Sequence, residues 1–223
     1  MSKNNALTNV FLPNKTNTFK FLDERAFMNC NNLQSIDIDN NGILNPNIVY
    51  IGSHCFGYNS TAGGSSLSSK SIPVKINGLP KNLIFLSGSA FYNGESNTSV
   101  NIRILPEGLK ILKAWTFNNC INVNIEDFGN SDSTKGLHTI ESGALYNAGS
   151  EVGTIYINAS ITNISSTDNF GMAAFTSYAR NTLNKIVFYK SIDTIANLNG
   201  EYPYTRDTLG LMGITVTNIE EIL

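Results

Sequence analysis

The sequence predicts an α/β-type repeat solenoid, with a parallel β-sheet on one face and short helical or turn segments on the other. Two phrases alternate along the chain, and the second of them has the apolar–polar alternation of a β-strand. The extra length between copies falls in stretches rich in Gly, Ser and Asn, which are typical of loops. We expect about seven or eight irregular coils that form a single domain over residues 1–223, with 192–223 as a weakly matching terminal coil.

The first phrase has an apolar residue five positions before an aromatic or aliphatic one, followed by polar residues. Its copies are LDERAFMNC (22–30), IGSHCFGYN (51–59), LSGSAFYNG (86–94), LKAWTFNNC (112–120) and IESGALYNA (140–148). We interpret this phrase as the short helical or turn segment that closes each coil. Its aromatic residues are predicted to stack as an internal column, which comprises Phe27, Phe56, Phe91, Phe117 and Phe175.

The second phrase alternates apolar and polar residues. Its copies are LQSIDI (33–38), IPVKI (72–76), VNIRI (100–104), INVNI (121–125), GTIYI (153–157), LNKIVF (183–188) and GITV (213–216), with LTNVFLP (7–13) as an early match. A period of two predicts one strand per coil with one face inward.

Stacked coils would bury the alternating apolar residues of the second phrase in a shared core. The predicted inward residues are Ile36, Ile38, Val74, Ile76, Ile102, Ile104, Val123, Ile125, Ile155, Ile157, Ile186 and Phe188. Arrays of this kind need covered ends, and TNIEEIL at the end of the sequence is not an obvious polar cap. We therefore expect another protein or subunit at one end of the solenoid.

The order of the two phrases resembles the BspA-like class of leucine-rich repeats. LPEGLKILKAWTFNNCINVNI (105–125) carries the resemblance most fully, and GLPKNLIFLSGSAFYN (78–93) carries it next. Members of that class with known roles are mostly surface adhesins or host-interaction proteins, so the resemblance implies a binding module. The coils here are longer and more irregular than is usual for the class.

Composition argues against several kinds of partner and location. Charged residues make up 14% of the chain and the formal net charge is −2, which gives no basic field for nucleic acid or an anionic membrane. We find no run of about 20 apolar residues that could cross a bilayer, and the first residues lack the apolar core of a signal peptide. We therefore expect no nucleic-acid partner, no membrane insertion and no export by that route.

The cysteine and histidine residues do not match the pattern of a catalytic, metal or disulfide site. Cys30, Cys55 and Cys120 lack metal-ligand spacing, and Cys30 and Cys120 would lie about 14 Å apart, too far for a disulfide. We read all three as buried, inert thiols. His54 and His138 have no His or Cys at ligand spacing. The sequence thus predicts no catalytic residues, no metal and no cofactor.

Binding is instead predicted on the outward residues of the second-phrase strands. The candidates are Phe11, Asp37, Lys75, Arg103, Asn124, Tyr156 and Tyr189. Lys75 and Arg103 are expected on adjacent rungs, as a small basic spot beside Asp37, and the tyrosines are expected to supply aromatic contacts. Two alternatives stay open: a merely solvated sheet face, and contact through the Ser/Gly loops, particularly 57–71.

These features favour a non-catalytic virion component of a bacteriophage, of the accessory, fibre or baseplate kind, that contacts a protein or a host-surface glycan. A virion protein needs no export signal, because lysis releases it. A cell-surface adhesin of a bacterium or protist is the first alternative. A carbohydrate-active enzyme with loop carboxylates is the second.

Overall fold

The chain folds as a parallel β-solenoid of about five turns. The computed structural model describes residues 6–11, 19–30, 32–36, 42, 44–57, 75–92, 100–166, 172–197, 203–214 and 218–223. Helix in these segments is confined to two 3₁₀ stretches, Ile192–Thr194 and Arg206–Met212. The predicted repeat solenoid is confirmed, although the number of coils is smaller than the seven or eight expected.

The described strands are short. In chain order they are β1 (Phe21–Leu22), β2 (Tyr50–Ile51), β3 (Ile76–Asn77), β4 (Phe85–Leu86), β5 (Val100–Asn101), β6 (Ile111–Leu112), β7 (Asp127–Phe128), β8 (Thr139–Ile140), β9 (Thr154–Ile157), β10 (Asn163–Ile164), β11 (Lys185–Phe188) and β12 (Asn218–Glu221). Hydrogen bonds join them into four parallel sheets, which we group as two ladders. The first ladder contains β1-β2-β4 and β6-β8-β10, and the second contains β3-β5 and β7-β9-β11-β12. Every strand pair is parallel.

The first ladder corrects the prediction that each coil has a single strand. The first phrase was expected to form only a helical or turn segment, yet its opening apolar residue and the residue before it lie in a strand. Neighbouring coils supply the hydrogen-bond partners: the Gly52 N–H donates to the Leu22 carbonyl at 2.8 Å, and the Ser87 N–H donates to the Ile51 carbonyl at 2.9 Å. Such contacts between distant residues stabilise strands too short to be recognised from their own periodicity.

The rest of the first phrase is a turn, and it directs the side chain at the aromatic position towards the core. Two residues before the aromatic position, the backbone is left-handed, with φ of 57° at Arg25, 51° at His54 and 59° at Trp115. After that residue, the backbone N–H of the aromatic residue donates to the following coil, as from Phe91 to the Thr116 carbonyl at 3.0 Å. The turn thus joins one coil to the next through its backbone as well as its side chains.

Burial confirms most of the predicted core. Predicted inward residues that are buried are Ile36, Ile76, Ile102, Val123, Ile125, Ile155, Ile157, Ile186 and Phe188. Ile38 and Val74 lie outside the described residues. The prediction for Ile104 was wrong, because its side chain is 80% exposed. Strand β5 ends at Asn101 and Ile102 makes the last bridge, to Val123, so alternation no longer governs the direction of the Ile104 side chain.

The aromatic column is present in the first four copies of the phrase. The rings of Phe27, Phe56, Phe91 and Phe117 stack in sequence with centroids 5.3–5.5 Å apart. Leu145 occupies the equivalent position in the next coil. The Phe117 N–H donates to the Ala144 carbonyl, and the Leu145 N–H donates to the Ala174 carbonyl. Phe175 follows Leu145 and therefore does not stack on Phe117. It meets Phe128 edge-on instead, with a centroid distance of 5.2 Å.

Candidate functional site

An exposed row of apolar side chains runs along the outward face of the first ladder. Each strand of that ladder has two residues, of which the second is buried and the first faces outward. The in-register pairs Phe21↔Tyr50 and Tyr50↔Phe85 therefore place outward residues directly beside one another. Phe21 is 63% exposed, Phe85 is 41% exposed and Ile111 is 37% exposed.

The rings in this row stack along the solenoid. The centroids of Tyr50 and Phe85 are 5.2 Å apart with planes 10° from parallel, and those of Phe21 and Tyr50 are 6.1 Å apart at 52°. Parallel strands are spaced about 4.8 Å apart, so identical positions on successive coils meet at ring-stacking distance. Tyr50 and Phe85 thus each cover one face of the other's ring.

We define the aromatic stripe as Phe21, Tyr50, Ile84, Phe85 and Ile111. Ile84 lies beside the row and is 60% exposed. The apolar character ends with β6, since the equivalent residues of the next strands are Thr139 and Asn163. Large contiguous apolar patches on folded domains often mark interaction sites, so the stripe is a candidate binding surface.

Charged residues border the stripe on both sides. All the strands run in the same direction, so residues before each strand lie on one edge of the stripe and residues after it lie on the other. Lys20 and Lys110 occupy the upstream edge, and Asp23 and Glu24 occupy the downstream edge; all four are exposed. Among the described residues, no carboxylate forms an ion pair with either of these two lysines.

The predicted basic spot is not assembled as expected. The register pairs Ile76 with Val100, so the two strands are adjacent as expected, but Lys75 lies one residue before this pair and Arg103 lies three residues after it. Arg103 instead forms an ion pair with Glu151 at 2.6 Å. Lys75 is exposed just before β3, and Asp37 lies outside the described residues.

Asn124 was predicted to face outward, and this placement was wrong. Its side chain is only 4% exposed. The side-chain oxygen accepts hydrogen bonds from the backbone N–H groups of Ser150, at 2.7 Å, and Glu151, at 3.0 Å. Asn124 therefore satisfies the turn of the following coil, which sequence alternation alone could not reveal.

The remaining candidates lie at the surface. Phe11 is 69% exposed, beside the segment where the Val10 N–H bonds to the Ser35 carbonyl. Tyr156 and Tyr189 stack on the second ladder with centroids 6.1 Å apart and planes 19° from parallel. Glu220 beside Lys185 raises the pKa of that lysine. A binding role for Phe11, Lys75, Arg103, Tyr156 or Tyr189 stays a prediction.

Two clefts flank the segment 103–107 between the ladders. One has a volume of about 550 Å³ and includes Lys81, Arg103 and Glu107 in its lining. The other, of about 350 Å³, includes Arg103, Glu107 and Asp127. Arg103 is bound to Glu151, and Glu107 lies 3.8 Å from Lys135. Arg103 and Glu107 are thus already ion-paired with residues outside the lining of the clefts.

The histidine and cysteine side chains that could carry out chemistry lie in partly or fully buried positions. Ser53 Oγ lies 2.9 Å from His54 Nδ1, and burial lowers the pKa of that histidine. Burial also raises the pKa of the Cys55 and Cys120 thiols, which disfavours the nucleophilic thiolate. Within the described segments, no group of three His, Cys, Asp or Glu residues could hold a metal ion.

We predict that the thiols will be unreactive in the folded protein. All three cysteines are buried, so an aromatic disulfide reagent at pH 8 should modify none of them at an appreciable rate until denaturant is added, when all three should react. Absorbance of the released thiolate measures the number modified. Rapid modification of the native protein would contradict the burial of these side chains.

The repeats match a known family model along most of the chain. Six copies of the BspA-type leucine-rich repeat cover residues 2–77 and 65–198. The protein belongs to the BspA-type leucine-rich repeat family. Repeats of this family generally mediate protein–protein or surface binding and are generally non-catalytic.

One solved structure is similar to this BspA-type protein, a leucine-rich repeat protein from Bacteroides ovatus ATCC 8483. The sequences are 14% identical, the TM-score is 0.42, and the alignment covers 98% of this chain and 61% of the other. This chain thus spans about three fifths of that protein's length. A search of the curated proteins gave no match. Within the described residues, no helix has the length and apolar character needed to span a bilayer.

Proposed function

We propose that this protein is a non-catalytic binding module that holds a protein partner through the aromatic stripe. The observation that carries the proposal is the exposure of Phe21 and Phe85 on either side of Tyr50 on one sheet face, with Ile84 exposed next to Phe85. Water contact with adjacent large apolar side chains is unfavourable, and a partner that covers them gains free energy in proportion to the area buried. Aromatic side chains are also over-represented among the residues that dominate binding energy.

The orientation of the rings favours a protein over a glycan. Sugar rings pack against open aromatic faces, whereas Tyr50 and Phe85 each cover one face of the other's ring. Ring edges and the branched side chains of Ile84 and Ile111 form an uneven apolar surface, which suits interdigitating side chains of a protein. A host-surface glycan is accordingly the less favoured partner.

A matched pair of substitutions tests the stripe. Phe85 is 41% exposed on the first ladder, and Tyr189 is 42% exposed on the second. For a partner isolated from the source organism, we expect Phe85→Ser to raise the Kd at least tenfold, or about 1.4 kcal/mol, and Tyr189→Ser to leave it unchanged. Calorimetric titration measures both. Equal affinities for the wild type and Phe85→Ser would exclude the stripe as the binding surface.

We further propose that the module acts on a bacteriophage virion, with the surface of a bacterium or protist as the alternative. The sparse charge of the chain and the surface roles common in this repeat class support an exposed location. Mass spectrometry of purified particles tests it. Detection in stoichiometric amounts would support the virion, and absence from the particles would reject it.

A carbohydrate-active enzyme is the rival from another functional class. It would require loop carboxylates to act as acid and base across a cleft. Incubation with a panel of glycans tests this rival directly. Turnover that is abolished by replacing one loop carboxylate would establish catalysis and overturn the non-catalytic proposal.

A further inference from the structure

The charges around the aromatic stripe fit a second copy of the same surface. This inference rests on the proposed function, because it supplies the partner of the stripe. In the coil of β1, Lys20 lies on the upstream edge and Asp23 lies on the downstream edge, and both are exposed. The next carboxylate on the downstream edge, that of Glu24, forms an ion pair with the Arg25 guanidinium at 3.3 Å, so the net negative charge of this edge is that of Asp23. Phe21, the most exposed aromatic residue of the stripe at 63%, lies between Lys20 and Asp23. The same short strand therefore presents opposite charges on the two sides of an apolar residue.

Such a surface is self-complementary in one orientation of a two-fold dimer. A two-fold axis parallel to the stripe keeps each coil opposite its own counterpart and exchanges the upstream and downstream edges. Phe21 then meets the partner's Phe21, and Lys20 meets the partner's Asp23. Two-fold interfaces are built from one patch that matches itself in this way.

The other face-to-face orientation is disfavoured by charge. A two-fold axis perpendicular to the stripe reverses the order of the coils and leaves upstream edge against upstream edge. That arrangement brings Lys20 towards the partner's Lys110, and both lysines are exposed without a described ion-pair partner. Facing like charges oppose association and suppress an incorrect alignment.

The downstream edge farther along the stripe does not oppose the favoured orientation. There Lys113 forms an ion pair with Glu141 at 2.8 Å, and the second carboxylate oxygen of Glu141 accepts a hydrogen bond from the Ala114 N–H at 3.0 Å. This pair would face the partner's Lys110 with its charges already balanced. The orientation is therefore determined at the coil of β1, where Lys20 and Asp23 have no ion-pair partner among the described residues.

We infer that the protein forms a two-fold homodimer through the aromatic stripe, with the axis parallel to the stripe and Lys20 of each protomer opposite the partner's Asp23. The apolar side chains supply the area that drives association. The charges at the edges select the orientation.

Sedimentation velocity of the full chain, between about 1 and 200 µM, tests the dimer. The wild type is expected to associate reversibly within this range. Lys20→Glu and Asp23→Lys should each weaken the dimer about tenfold or more, since each creates a pair of facing like charges. The double variant Lys20→Glu/Asp23→Lys restores opposite charges and should return the Kd to near the wild-type value.

Two control substitutions complete the experiment. Arg180→Glu changes an exposed arginine in the turn before β11 and should leave the Kd unchanged, whereas Phe85→Ser should weaken the dimer like the charge reversals. A wild type that stays monomeric at the highest concentration overturns the inference. A double variant that dimerises no more tightly than the single variants also overturns it. Neither result decides the proposed function, which fails instead if a partner binds Phe85→Ser as tightly as the wild type.

Discussion

Replacing Phe117 with Ala is expected to lower the free energy of unfolding by about 3–5 kcal/mol. The side chain is fully buried, and its ring stacks on Phe91 with centroids 5.5 Å apart. Truncation removes the favourable transfer of the ring from water and leaves a cavity between coils that the rigid turn backbone cannot close. Equilibrium unfolding in urea, monitored by circular dichroism, measures the change.

Phe85→Ala is the control for this prediction. Phe85 stacks on Tyr50 but is 41% exposed on the stripe, so its truncation should cost about 1 kcal/mol or less. If Phe117→Ala lowers the free energy of unfolding no more than Phe85→Ala does, the aromatic column does not hold the coils together.

Replacing Tyr178 with Phe is expected to cost about 2 kcal/mol or more, although only one oxygen atom is removed. The Tyr178 hydroxyl donates to the Ile125 carbonyl at 2.6 Å and accepts from the Ile125 N–H at 2.8 Å. Both groups of Ile125 lie in a buried part of the solenoid. Without the hydroxyl each loses this partner, and an unsatisfied buried group costs about 1–3 kcal/mol.

The same unfolding experiment checks this prediction, with Tyr189→Phe as its control. Tyr189 is 42% exposed, so loss of its hydroxyl should change stability by less than about 0.5 kcal/mol. Burial also raises the pKa of the Tyr178 hydroxyl, so its phenolate absorbance should appear only on unfolding at high pH. Equal stabilities of the two variants would contradict the bridging role of Tyr178.

Apolar alternation and the recurrent aromatic position were sufficient to predict the solenoid and much of its core. Ile76, Ile102 and Val123 are buried as the period of two requires. Phe56, Phe91 and Phe117 stack as equal spacing within the phrase implied. These features follow from the sequence because they depend on which residues share a face within one coil.

The aromatic stripe was missed, although a signal for it was present. Each copy of the first phrase is preceded by one outward residue, and in three successive copies this residue is Phe21, Tyr50 and Phe85. A two-residue strand is too short to show alternation, so these residues read as the start of a turn. Comparing the residue before each phrase across copies would have revealed the row.

The repeat, the family resemblance and most residues of the core can be predicted from the sequence, because burial of a periodic apolar pattern requires stacked coils. Contacts between coils determine that the coils carry two ladders, that Asn124 is buried in a turn and that Ile104 faces solvent. They also determine which surface residues become neighbours. The physical reason is that hydrogen bonds and side-chain contacts between coils join residues some 25 to 35 positions apart, and the register that sets them depends on loops whose lengths vary from coil to coil.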